Sequence, residues 1–233
     1  MRDFSDPVRA AISEIFSSLQ GEGLHMGERH LFVRFSGCDV NCCYCDEHSG
    51  RGADMTVREA LAAVETLEAG SGPHSFVSLT GGEPLQQPDF LRGLTRKLKE
   101  CGYRVLLETN GICPRALDGT VELFDSISMD IKLSSVGRHP DFSDAHAEFL
   151  KIVRRTETEL CLKIVVAETM DFAEFDRHIG MIAEVAPETP VFIQQRQGER
   201  VDVPYLERAI QTARQRIADV RLGFQLHKML NMK

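Results

Sequence analysis

No stretch of this 233-residue chain approaches the roughly 18 to 20 consecutive apolar residues of a membrane span. That excludes a helical membrane protein. Nor is there a run of five or six like charges, and the formal net charge is −8. A surface built to grip phosphates shows a basic footprint, so nucleic acid is excluded as the expected partner. Low-complexity tracts, internal repeats and Pro/Gly/Ser-rich linkers are also missing, and one domain spanning 1–233 is expected. The first residues, "MRDFSDPVRAA", hold no apolar segment suited to a secretory signal. The expected compartment is therefore the cytoplasm, where structural disulfides are rare.

Against that background the thiols stand out. Four of the seven cysteines fall within eight positions, in "GCDVNCCYCDEHSG" (37–50). Taken as spacing, Cys38, Cys42 and Cys45 read C-x3-C-x2-C, with Cys43 between ligands. Zinc takes four tetrahedral ligands, commonly two separated CxxC pairs. Cys101, Cys113 and Cys161 are scattered without pairing and offer no second pair. A thioredoxin-like pair does not carry a third spaced thiol. Three thiolates on a four-iron cluster leave one iron without a protein ligand, and an open coordination position is where chemistry happens.

Short β-type runs alternate with amphipathic helical patterns. Strands are predicted at 30–36, 75–80, 103–109, 124–131, 160–166, 190–195 and 220–226, and helices at 56–69, 88–100, 143–154, 171–186 and 203–219. Thr56, Gln87 followed by Pro88, and Asp202 followed by Pro204 mark helix starts. This rhythm predicts an α/β fold of right-handed βαβ units and one parallel sheet. Parallel sheets place ligands at the carboxyl ends of their strands. The cysteine loop, "TGGEP" (80–84), "ETNG" (108–111) and "MDIK" (129–132) all fall at such ends.

The cysteine spacing with Tyr44 before the last thiol, followed by TGGEP after the next strand, resembles the radical S-adenosylmethionine enzymes. "EIFSSLQGEG" (14–23), "GERHLFVRFSGCDVNCCYCD" (27–46) and the closing "HKMLNMK" (227–233) are similar, more narrowly, to the 7-carboxy-7-deazaguanine synthase family. The resemblance implies a single-domain, incomplete β/α barrel with about six core parallel strands. It implies a lyase that contracts 6-carboxy-5,6,7,8-tetrahydropterin with loss of ammonia, on the route to queuosine and related deazapurines. A 5′-deoxyadenosyl radical would abstract the hydrogen atom.

What the family implies residue by residue is as follows. Cys38, Cys42 and Cys45 hold a 4Fe–4S cluster, and Glu47 stands where the family's magnesium-facing hydroxyl is usual. S-adenosylmethionine meets Tyr44, Asp46, Gly81, Gly82, Glu83, Glu108, Asn110, Ser128, Lys132 and Gln194. The pterin meets Leu19, Gln20, Gly21, Glu22, Arg34, Thr80, His227 and the terminal Lys233. A flavodoxin- or ferredoxin-type electron donor and a homodimer are also implied. Three departures stand out: Glu47 itself, "SMDIK" (128–132) in place of Ser-Pro-Lys, and "IQQRQG" (193–198) in place of a Gln-Pro segment. The Asp-x-Lys of MDIK is shared with activases of glycyl-radical enzymes, the alternative reading. An electron carrier, the remaining alternative, has no use for TGGEP.

Overall fold

The computed structural model describes residues 8–45, 52–199 and 202–232. Nine strands form one sheet: β1 (Arg9–Leu19), β2 (Arg29–Phe35), β3 (Ala53–Thr56), β4 (Phe76–Gly81), β5 (Val105–Thr109), β6 (Ser126–Ile131), β7 (Glu159–Val166), β8 (Val191–Gln195) and β9 (Val220–Gly223). Their spatial order is β3-β1-β2-β4-β5-β6-β7-β8-β9. From β2 through β4 to β9 every neighbour is parallel, which makes seven parallel strands. β1 and β3 extend one edge in antiparallel fashion. Among the described residues β9 does not pair with β3, so the barrel is open.

The helices are α1 (Val57–Ser71), α2 (Pro88–Glu100), α3 (Pro114–Leu117), α4 (Ser134–Gly137), α5 (Ser143–Val153), α6 (Phe172–Val185), α7 (Val203–Arg214) and α8 (Leu226–Met229). α1 opens on the predicted Thr56 with a full capping box, Glu59 answering the cap's backbone. Asp202 caps α7 by accepting from Tyr205 N, and Gln87 supplies no side-chain cap to α2. Two predicted ends run too far. The last strand stops at Gly223 before the chain turns into α8, and α7 stops at Arg214.

β1 and β3 were not expected. β1 carries Ile12, Ile15, Phe16 and Leu19, a spacing that mimics a helix face. Its register shifts between Ile12 and Glu14 against β2, and such a bulge destroys the period-two signal of a strand.

Alternation within the parallel strands sorts two chemistries. Leu31, Val33, Val77, Leu79, Leu107, Ile127, Met129, Leu162 and Ile164 point outward into the core under the helices. The alternate positions turn inward and are largely polar: Arg34, Thr80, Glu108, Ser128, Asp130, Lys163 and Gln194 line a cavity of about 1110 Å3. Register makes them neighbours, since Arg34 pairs with Thr80, Glu108 with Ser128, and Asp130 with Lys163. A polar inner face needs a ligand or a plug, because unpaired buried polar groups are costly. The loop after β1 supplies part of the plug: Gln20 and Glu22 reach Glu108 and Lys163, and His25 reaches Ser126 and Glu159.

Candidate functional site

The cysteine loop leaves β2 at the carboxyl rim and lies against β4's end. Gly82 N donates to Phe35 O at 2.8 Å, and Glu83 N donates to Gly37 O at 2.9 Å. A Cβ on Gly82 would stand 1.9 Å from Gly37 O, and Gly81 sits at φ +109° with Phe35 O 2.3 Å from its ideal Cβ. The two glycines of TGGEP thus let β4's end touch the thiol loop, a close approach to protein as well as an opening onto the cavity.

Cys38, Cys42 and Cys45 line the cavity. Burial pushes the Cys38 and Cys42 thiols above the usual cysteine range, so bare thiolates are disfavoured there. Bonded iron removes that cost by neutralising the charge, and the donor set fits an iron–sulfur cluster. Among the described residues no three His, Cys, Asp or Glu side chains converge closely enough to hold a single metal ion. A cluster spreads its thiolates over separate irons. Cys43 also borders the cavity but is tied to α4, its Sγ donating to Val136 O at 3.3 Å and its N to Gly137 O at 3.1 Å.

Beside the thiols, the Tyr44 ring lies 5.7 Å from Lys132 Nζ. From there a line of alternating charge crosses the inner face. Lys132 Nζ is 3.0 Å from Asp130 Oδ2, Lys163 Nζ is 3.4 Å from the same oxygen, and Lys163 also pairs with Glu22. Burial pushes Asp130 upward, but Lys132 and Lys163 outweigh it and hold the carboxyl below its usual range. Both lysines are held above theirs: burial pulls them down, and the Asp130 carboxylate together with further neighbours, Glu22 and Glu108 in the case of Lys163, more than offsets it. Glu22 Oε1 further accepts from Gln225 Nε2 at 2.9 Å and Gln194 Nε2 at 3.3 Å.

A second network lies toward β4 and β5. Glu108 accepts from Gln20 Nε2 and Thr80 Oγ1, both at 2.8 Å. Gln20 Oε1 in turn accepts from Glu22 N at 3.1 Å. Arg34 faces the cavity with Glu14 3.4 Å from Nη1 and the Phe16 ring 4.9 Å from its guanidinium carbon. The tail closes this side, for Leu226 N donates to Gly21 O at 3.0 Å and His227 packs on Gly21. Leu19 and Ser128 also line the wall.

Glu83 is a correction. Expected to face the cofactor, it is 0% exposed, and its carboxylate accepts from Leu85 N, Thr109 Oγ1 and Asn110 N. It joins the ends of β4 and β5 and is not part of the cavity wall. Burial pushes its carboxyl up, against the pull of those three donors. Asn110 does reach the wall, but its side chain is directed at Cys38, with Nδ2 3.6 Å from Sγ. Asp46, Glu47 and Lys233 lie outside the described residues. Lys163 was missed, and Asp130 was read only within MDIK and not as a site residue. Lone charges at inward positions of "SISMDI" and "ELCLKIVV" were the available signal.

Residues 32–166 match the model of the Radical SAM superfamily. A 7-carboxy-7-deazaguanine synthase of Methanopyrus kandleri is 35% identical, over 94% of this chain and 93% of its own length. Its counterpart in Geobacter sulfurreducens is 34% identical, over 95% of this chain and 97% of its own. Among solved structures, QueE from Escherichia coli superposes with a TM-score of 0.65 at 20% identity, over 94% of this chain and 95% of that one, which shows a shared fold. These relationships disfavour the activase alternative. The chain belongs to the 7-carboxy-7-deazaguanine synthase family of the Radical SAM superfamily.

Proposed function

We propose that this chain converts 6-carboxy-5,6,7,8-tetrahydropterin to 7-carboxy-7-deazaguanine with loss of ammonia. One observation carries the assignment. A single cavity gathers the three spaced cysteines with Gln20, Glu22, Arg34 and His227 from the three segments that resemble the synthase family.

In this reading Cys38, Cys42 and Cys45 would hold a 4Fe–4S cluster, with S-adenosylmethionine bound beside it. Together, when bound, these groups supply the chemistry of hydrogen-atom abstraction. The chain's own residues bind, orient and shield. Tyr44, Gly81, Gly82, Ser128, Lys132 and Gln194 form the cofactor side, with Asp46 beyond the described residues. Lys132 offers an ammonium to the methionine carboxylate, and its raised pKa keeps that charge at neutral pH. On the substrate side, Gln20 and Glu108 present an amide and a carboxylate to the donor-rich pyrimidine edge, joined by the Thr80 hydroxyl. Arg34 takes the substrate carboxylate through its fork of N–H groups. Glu22, fixed by Lys163, Gln194 and Gln225, is preorganised to accept from a ring N–H. His227, with Lys228 and Met232 of the tail, shuts out water and stray hydrogen donors.

Magnesium at Glu47, a flavodoxin- or ferredoxin-type electron donor and a homodimer belong to the same proposal. A carboxylate is a good ligand for a hard cation. The described residues contain no helix long and apolar enough to cross a membrane. The test is anaerobic incubation of the reconstituted chain with S-adenosylmethionine, a reductant and the carboxy-tetrahydropterin, with mass spectrometry for the deazaguanine. Cleavage of S-adenosylmethionine without that product would overturn the substrate assignment.

A further inference from the structure

We propose that the Asn110 carboxamide is a positioning residue for the sulfur of Cys38, and that its N–H group raises the reduction potential of the cluster. The inference rests on the cluster assignment above and is independent of the pterin.

Asn110 is held at three other points. Its N donates to Glu83 Oε2 at 2.8 Å, its carbonyl accepts from His146 Nε2 at 3.1 Å, and its side-chain Oδ1 accepts from Ile112 N at 3.0 Å. The last bond fixes which end of the amide faces the thiol. With the amide turned over, an NH2 would meet the Ile112 N–H, donor against donor, and a carbonyl oxygen would meet the sulfur. Nδ2 therefore lies toward Cys38 Sγ, at 3.6 Å. Asn110 is only 6% exposed, so water does not compete freely for that donor.

The anchors are themselves buried. Glu83 is fixed by Leu85 N and Thr109 Oγ1 as well as by Asn110. His146 is 0% exposed, and nothing proposed for the pterin employs it. Its Nε2 faces a carbonyl, which only accepts, so that nitrogen carries the proton; Nδ1 has no hydrogen-bond partner among the described residues. TGGEP thus reaches the thiol loop by a relay in which Glu83 and His146 hold Asn110, and Asn110 addresses Cys38. An N–H directed at a ligating sulfur draws charge from it and eases addition of an electron to the attached iron. Hydrogen bonds to sulfur are among the determinants of cluster potential.

The experiment is a potentiometric titration of the reconstituted full-length chain without pterin, followed by the electron paramagnetic resonance signal of the reduced cluster. Asn110→Ala is expected to retain its iron and to be reduced about tenfold less favourably, which for one electron is about 59 mV lower. Asn110→Asp, of the same shape but with an acceptor in place of the donor, should fall further. His146→Leu should fall less than Asn110→Ala, because the amide remains. Should Asn110→Ala hold no cluster, the Asn110→Asp midpoint decides instead. Midpoints equal to wild type in the variants that retain iron would overturn the inference. Failure of the wild-type chain to take up a four-iron cluster would overturn the cluster assignment itself, a separate result.

Discussion

His227 Nδ1 occupies the space a side chain at Gly21 would need: an ideal Cβ there would lie 2.0 Å from it. The glycine of the first motif is thus the seat for the imidazole of the last. Gly21→Ala must push the ring away, while the exposed tail has room to give. We therefore expect little change in melting temperature and a loss of tenfold or more in kcat/KM for the pterin. In a His227→Ala background the same substitution should cost much less. A double-mutant cycle on kcat/KM checks this, with additivity as the refuting outcome.

The four thiols of the loop separate by spacing and partner. All four border the cavity, but Cys43 stands outside the C-x3-C-x2-C pattern and donates to Val136 O. Cys43→Ala is expected to keep about four irons per chain and near-normal S-adenosylmethionine cleavage. Cys42→Ala should lose the cleavage. Iron analysis and 5′-deoxyadenosine formation, measured on the same preparations, decide the matter, and an active Cys42→Ala would refute the assignment.

Much of this arrangement was legible in the residues. The seven parallel strands announce themselves as short β-branched and apolar runs, and the motifs fall at their carboxyl ends because the loops there are polar and Gly-rich. Lys163 was not legible as a site residue, because a single lysine in "ELCLKIVV" gains meaning only when register sets it beside Asp130. Glu83 misled for the opposite reason: proximity in sequence to Gly81 and Gly82 does not reveal that its side chain turns inward to Thr109 and Asn110. β1 was hidden by its bulge. Burial and partners across strands are tertiary facts, and local spacing does not encode them.

Glu83 should be exacting despite standing off the cavity. Glu83→Gln sets an NH2 among three donors, so at least one of Leu85 N, Thr109 Oγ1 and Asn110 N must lose its acceptor. An unsatisfied buried polar group costs about 1–3 kcal/mol. Urea unfolding should show a loss of that size, together with weaker retention of the cluster. A Glu83→Gln chain as stable as wild type would mean that the β4–β5 junction does not depend on the carboxylate.

Asp130 gives the structure a measurable response to acid. Its folded-state carboxyl is held below the usual range by Lys132 and Lys163, against the opposing effect of burial. A carboxyl lowered on folding contributes stability that is fully present above its unfolded pKa of about 3.9, and that is lost as pH falls through the folded value. Asp130→Asn removes that contribution and leaves both lysines without their shared carboxylate. The variant should be less stable than wild type at pH 6, and the gap should narrow as pH drops from about 5 to 3. Lys163→Met should behave similarly at neutral pH, with a cost toward the low end of the roughly 3–5 kcal/mol of a broken buried pair, because these side chains keep some solvent contact. Urea titrations of the three proteins at pH 6, 5, 4 and 3 read the difference directly. A gap between wild type and Asp130→Asn that stays constant or widens on acidification would mean that Asp130 is not held ionised by its two lysines.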